Sequence, residues 1–182
     1  MPDFESLPLF LPALAVAALL GLVMSRWLAA RLGCSPLHAW ILVVSLGIVL
    51  AATLTPLRAA LDEGPTGPKP CDLSRLWFAP LDVYLRPGDI PGNVLMFIPL
   101  GLFLGLLPAS RGRGPLIVGA LLLPVAIEAT QLAATALDRA CQSGDVVDNL
   151  AGLIAGLLVG SVAAAIGGAI SAWSARRRPP DR

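Results

Sequence analysis

The stretch Ile127–Gly160, IEATQLAATALDRACQSGDVVDNLAGLIAGLLVG, decides how the rest of the chain is read. It begins inside an apolar run with Glu128 and Gln131, three residues apart and therefore on one helical face. A short polar loop follows with Arg139 and Cys141, and Asp145, Asp148 and Asn149 then open a second apolar run. An ionisable side chain inside a membrane-length apolar segment is costly, which makes each of these residues a candidate functional group.

Composition extends that reading to the whole chain. Of 182 residues 56% are apolar, and the mean hydropathy of +0.78 lies far outside the range of soluble domains. Only 14% are charged, in short clusters between long uncharged runs. A net charge of +1 argues against nucleic acid as a partner. With one histidine, His38, and no C-x-x-C, no metal or cofactor is expected. His38 also lies far along the chain from the polar cluster, so no catalytic or ligand role is expected of it. Asp3 and Glu5 precede the first basic residue, Arg26, which is unlike the positive start of a secretory leader. The first apolar run therefore reads as a retained anchor.

The expected fold is all-α: a single polytopic membrane domain over residues 1–182 with about five transmembrane helices. The helices are expected at about 7–24, 37–57, 92–107, 115–134 and 147–172, with a long outer loop at 58–91. The positive-inside rule orients them. Arg26, Arg31, Arg111, Arg113, Arg176, Arg177, Arg178 and Arg182 fall on one side, with Asp181 as the acid among them. Arg58, Lys69, Arg75, Arg86 and Arg139 fall on the other, together with most of the acids. That predicts the N-terminus outside and the C-terminus inside. Were only four segments to span, the third, with Asn93 and Pro99, would be the one to re-enter.

This frame brings separate motifs to one face. Asn93, Glu128, Gln131, Arg139, Asp145, Asp148 and Asn149 all fall toward the outer side, and together they form the expected binding site. Capping is the plainer role for Asp145 and Asp148, because acids suit a helix N-terminus. A buried hydrogen-bonded brace is the plainer role for Glu128 and Gln131. The second half of the outer loop, LSRLWFAPLDVYLRP, reads as an interfacial segment or a lid over that face. Gly152, Gly156 and Gly160, continued by Ala164 and Gly168, make one smooth face of the last helix, a device for close helix packing in lipid. Packing within the chain is favoured over packing between copies, and the oligomeric state stays open. Pro99 and Pro124 each remove a helical donor and can kink their helices.

The segments NVLMFIPLG (Asn93–Gly101) and IEATQ…R…DVVDNLAGLIAG (Ile127–Gly156) resemble the VanZ-like family of bacterial membrane proteins. The resemblance rests on Asn93, Phe97, Pro99 and Gly101, then Glu128 and Gln131, then Arg139, then Asp145, Asp148, Asn149 and Gly152. It covers about residues 92–160 and implies a multi-pass protein of the bacterial cytoplasmic membrane and cell envelope. Some members of the family are associated with resistance to glycopeptides such as teicoplanin, and the resemblance implies no settled reaction.

Cys71 and Cys141 both fall on the expected outer side, where a disulfide would tie the long loop to the polar cluster. Three functions fit these residues. The first is a non-enzymatic envelope protein that binds a polar or anionic head group, or a lipid-linked cell-wall intermediate, at the outer leaflet. In it Arg139 would hold phosphate or carboxylate and the other polar residues would supply hydrogen bonds; because the carboxylates outnumber the arginine, a cationic group or a bridging divalent cation would be equally natural. The second is a membrane enzyme on a lipid-anchored substrate with Glu128 and Asp148 as acid and base, less favoured because no nucleophile–His or metal–His set is present. The third is a lipid or solute transporter, weakened by the lack of an internal repeat.

Overall fold

The computed structural model describes residues 6–85, 89–110 and 112–176. Expectations that rest on Asp3, Glu5, Arg86, Arg111, Arg177, Arg178, Asp181 and Arg182 fall outside the described residues.

Two long helices open the chain. Helix α1 (Phe10–Leu32) runs past Arg26, Trp27 and Arg31 and stops at Gly33. That glycine takes a left-handed conformation (φ 69°) and its N–H closes on the Ala29 carbonyl. The apolar run predicts a stop near residue 24, but basic and aromatic residues do not break a helix, and Gly33 does. Helix α2 (Pro36–Leu54) starts on Ser35, whose hydroxyl accepts the His38 N–H at 3.2 Å, with Pro36 in the first turn. The pair is antiparallel: Gly21 faces Trp40 and Val43, Gly47 faces Ala17, and the Trp40 indole donates to the Ala18 carbonyl at 3.0 Å.

The segment that follows α2 contains two short helices, α3 (Arg58–Asp62) and α4 (Leu81–Tyr84), joined by irregular chain. Helix α5 (Asp89–Gly105), α6 (Arg113–Ala133) and α7 (Ser143–Arg176) follow, with a single 3₁₀ turn at Thr135–Leu137 between the last two. Four helices, α1, α2, α6 and α7, are long and apolar enough to cross a bilayer, and α5 is the shorter apolar helix. The five comparable spans expected from the sequence are therefore four long helices and a short one. The 17 residues of α5 rise roughly 25 Å, short of the ~30 Å hydrocarbon thickness. Leu106 and Leu107, apolar by composition, lie beyond its last turn.

The tightest packing joins α5 to the first half of α7. A side chain added at Gly152, Gly156 or Gly160 would strike the backbone at Val94, Ile98 or Leu102. One added at Gly101 or Gly105 would strike Leu153 or Leu157. Glycines on both helices thus let the two backbones touch. Because the paired numbers rise together, α5 and α7 run parallel. Helix α6 runs against them: its first residue, Arg113, donates to the Gly105 carbonyl at 3.2 Å and to the Ser161 hydroxyl at 2.9 Å. Buried Phe97, Leu100, Leu104, Ile127 and Leu153 form the core these helices share with Val49 of α2. The glycine face is used as far as Gly160; Gly168, further along, faces open space.

Candidate functional site

The end of the bundle opposite Arg113 carries the polar chemistry, and its residues fall into two groups. Glu128 and Gln131 share a buried face of α6 near its C-terminal end, and Asp145, Asp148 and Asn149 lie in the first turns of α7. Between them the chain turns through Asp138, a non-glycine residue at φ 53°. The link is held to the end of α2, where Leu57 N–H donates to the Leu137 carbonyl at 3.3 Å and Arg139 Nε to the Thr55 carbonyl at 3.1 Å.

The first group is a strap stapled onto this link. Cys71 and Cys141 are joined by a disulfide. Beside it, Asp72 N–H donates to the Cys141 carbonyl, and Ser143 N–H to the Asp72 carbonyl, each at 2.8 Å. Next, Arg75 makes a two-pronged ion pair with Asp148, one prong at 3.1 Å. Tyr84 adds a hydroxyl donor to the same carboxylate at 2.8 Å. Asp148 is completely buried, with its charge met by a guanidinium and a phenol. Asp148 in turn holds the Arg75 guanidinium above its ordinary value. At the strap's near end Asp138 accepts from the Thr66 N–H and hydroxyl at 3.1 and 2.6 Å and pairs with Lys69 at 2.9 Å. Those bonds, Thr66 first, hold its carboxyl down at about 2. Leu73, Leu76, Trp77 and Phe78 of the same strap are exposed.

The second group lines a cavity of about 740 Å³. Its polar wall contains Asn93, Glu128, Gln131, Arg139, Asp145 and Asn149, with Arg75 and Gln142 at the strap side. Its apolar wall includes Leu7, Phe10, Ile48, Leu57, Leu95 and Met96. Helices α1, α2, α5, α6 and α7 therefore all contribute to it. Glu128 accepts the Gln142 N–H at 2.7 Å, and Gln131 donates to the Thr53 carbonyl at 3.0 Å. Burial pushes the Arg139 guanidinium below its ordinary value, and the nearby charge of Glu128 opposes that.

Buried polar atoms are nearly always hydrogen-bonded, so the exceptions mark sites. Five buried side-chain atoms among the described residues have no partner. Three of them, Gln131 Oε1, Arg139 Nη2 and Asn149 Oδ1, belong to residues that line this cavity. Two are acceptors and one is a charged donor, so the wall can receive a ligand that both donates and accepts.

Of the seven site residues expected from the sequence, six meet at the cavity, and Asp148 does not line it. Sequence reasoning missed Arg75 and Tyr84 as partners of Asp148, and Gln142 as a cavity residue. The return of the long loop 58–91 to aromatic and charged residues was the signal they left. His38 lies away from the cavity, its ring Nε2 2.8 Å from the Phe103 carbonyl. Among the described residues no group of three or more His, Cys, Asp or Glu side chains could hold a metal ion.

No curated protein and no solved structure matches the chain. A family model described as VanZ/LLP1 matches residues 42–164. That span takes in most of α2, the strap, α5, α6 and the clamped half of α7, so the match covers the cavity and the staple together. With four membrane-length helices and this match over more than half its length, the chain is a helical membrane protein that belongs to the VanZ/LLP1 family.

Proposed function

We propose that this protein holds an amphiphile at the outer leaflet of a bacterial cytoplasmic membrane, with the head group on the polar wall and the hydrocarbon on the apolar one. The observation that carries this reading is the set of unpartnered buried atoms, Gln131 Oε1, Arg139 Nη2 and Asn149 Oδ1, beside Glu128 in a two-sided cavity. A membrane lipid or a lipid-linked cell-wall intermediate has the required two-part shape. The positive-inside rule supports an outward cavity, since Arg31, Arg113 and Arg176 sit toward the other ends of their helices. The disulfide supports the same side, an oxidising one. Membership of the family supports a role in the cell envelope, with glycopeptide resistance of the teicoplanin type as its physiological setting. An acid–base pair of Glu128 with Asp148 has less support, because Asp148 is engaged by Arg75 and Tyr84.

The test is native mass spectrometry of the protein extracted gently from its own membrane, beside Glu128→Ala and Asp148→Asn. A discrete bound amphiphile in wild type that is missing from Glu128→Ala is expected. Asp148→Asn, which weakens the strap and leaves the polar wall intact, should retain part of it. Bare wild-type protein under conditions that preserve lipid on a control membrane protein would overturn the reading.

A further inference from the structure

The polar wall has a donor and acceptor pattern that selects among head groups. Glu128, Gln131 and Asn149 are 5%, 7% and 1% exposed, and all three line the cavity. Gln131 and Asn149 each bring an amide oxygen that no donor meets. Glu128 has one oxygen on the Gln142 N–H, and a carboxylate retains further accepting capacity beyond one such bond. Asp145 adds a second carboxylate to the wall and Asn93 a second asparagine. Arg75, also at the cavity, is paired with Asp148, which leaves Arg139, held through Nε to the Thr55 carbonyl, with Nη2 buried and unmet.

We propose that the cavity takes a head group in which a primary ammonium sits beside a phosphate, the chemistry of an ethanolamine phosphodiester. This rests on the amphiphile reading above and names the head. A primary ammonium carries three donors and no acceptor, which matches the three acceptors of Glu128, Gln131 and Asn149. Its charge meets that of Glu128, and the adjoining phosphate accepts a charge-assisted bond from Arg139. A quaternary ammonium keeps the charge but offers no N–H. A glycerol head offers hydroxyl donors but brings no charge to Glu128. An isolated anion satisfies Arg139 and leaves all three acceptors unmet. Leu95, 54% exposed and also part of the cavity wall, gives an acyl chain a way out to the bilayer.

The experiment places the full chain in phosphatidylglycerol nanodiscs doped with one test lipid at a time. The series is phosphatidylethanolamine, its N-methyl and N,N-dimethyl forms, and phosphatidylcholine, which lose N–H donors one by one at constant charge. Retention is read by native mass spectrometry and should fall at each step, by about tenfold from first to last. Asn149→Leu and Gln131→Leu should flatten the series; if either fails to fold, the wild-type series alone decides. Displacement by water-soluble glycerophosphoethanolamine, with no need of acyl chains, would support the same head chemistry and assign it to a soluble source. Equal retention of all four lipids would overturn the ammonium assignment. If a different lipid from the native membrane then stays bound, the amphiphile reading survives and the head assignment alone is lost. Protein that retains no amphiphile at all removes both.

Discussion

Asp148 and Asn149 are neighbours in the first turns of α7, both are fully buried, and their side chains meet opposite fates. Asp148 is saturated: two bonds from Arg75 and one from Tyr84 converge on its carboxylate. Asn149 turns to the cavity and leaves its amide oxygen unmet. The same contrast divides the whole polar end of the molecule. The strap, from Thr66 to Tyr84, is satisfied wherever it touches the bundle, whereas the wall of Gln131, Arg139 and Asn149 carries deficits. A buried polar group that is satisfied holds structure together, and one left unmet costs stability unless something else supplies its partner. The first kind should fail in stability when broken and the second in binding.

The disulfide is the sharpest place to break the strap. Cys71 and Cys141 close a separation of 70 residues, for which the loop-entropy model gives a loss of about 4 kcal/mol on removal. Cys71→Ala with Cys141→Ala should lower the thermal midpoint in detergent and expose the strap to protease. Mass spectrometry of the non-reduced protein should show both thiols absent; two free thiols would remove the staple from the argument.

The ion pair comes next. Asp148→Ala leaves Arg75 and Tyr84 without their acceptor. Breaking a buried pair costs roughly 3–5 kcal/mol, but Arg75 is partly exposed, so about 2 kcal/mol is expected. Tyr84→Phe removes one donor and should cost about 1 kcal/mol. If Asp148→Ala melted like wild type but lost the bound amphiphile, the division between strap and wall would be wrong.

Much of this polar end was legible in the sequence, for reasons specific to each residue. Glu128 and Gln131 stood out because charge and amide at helical spacing are rare in an apolar run. Asn149 and Asp145 stood out because they open the next run. The glycines of α7 announced a close-packed face through their spacing of four. Nothing in that spacing named α5 as the partner, since Gly101 and Gly105 supply only two positions of the matching face. The short length of α5 was also hidden, because Leu106 and Leu107 continue the apolar run after the helix has ended. Asp148 was legible as a residue and illegible in its role. Its partner Arg75 is 73 residues away on a loop without periodicity, and contacts of that kind are set by the tertiary fold.

Acid gives a weaker break at the strap's near end. The Asp138 carboxyl is held at about 2 against an ordinary value of 3.8. Because the folded value is the lower one, its contribution is complete above the ordinary value and is lost as pH falls through the folded one. Hydrogen-exchange protection at Thr66 and its neighbours, taken relative to the intrinsic rate at each pH, should therefore fall between about pH 4 and pH 2. Asp138→Asn should remove that dependence without altering exchange in α6 or α7. An unchanged profile in the variant would assign the acid response to another carboxylate.

The smallest expected change in stability is at the wall, and it is the most informative. Asn149→Leu and Gln131→Leu replace an amide whose oxygen is unmet with an apolar group of similar size. Gln131 also gives up its bond to Thr53, so its variant should lose about 1 kcal/mol, and Asn149→Leu should be neutral within about 0.5 kcal/mol or slightly stabilising. Both should nonetheless lose most of the bound amphiphile, because the loss falls on the complex and not on the fold. A variant that melts at or above the wild-type temperature while binding tenfold less would show that the deficit at this wall is retained for a ligand. A large drop in melting temperature at Asn149→Leu would instead mean that its oxygen is satisfied in the membrane by the protein or by water, and the contrast with Asp148 would collapse.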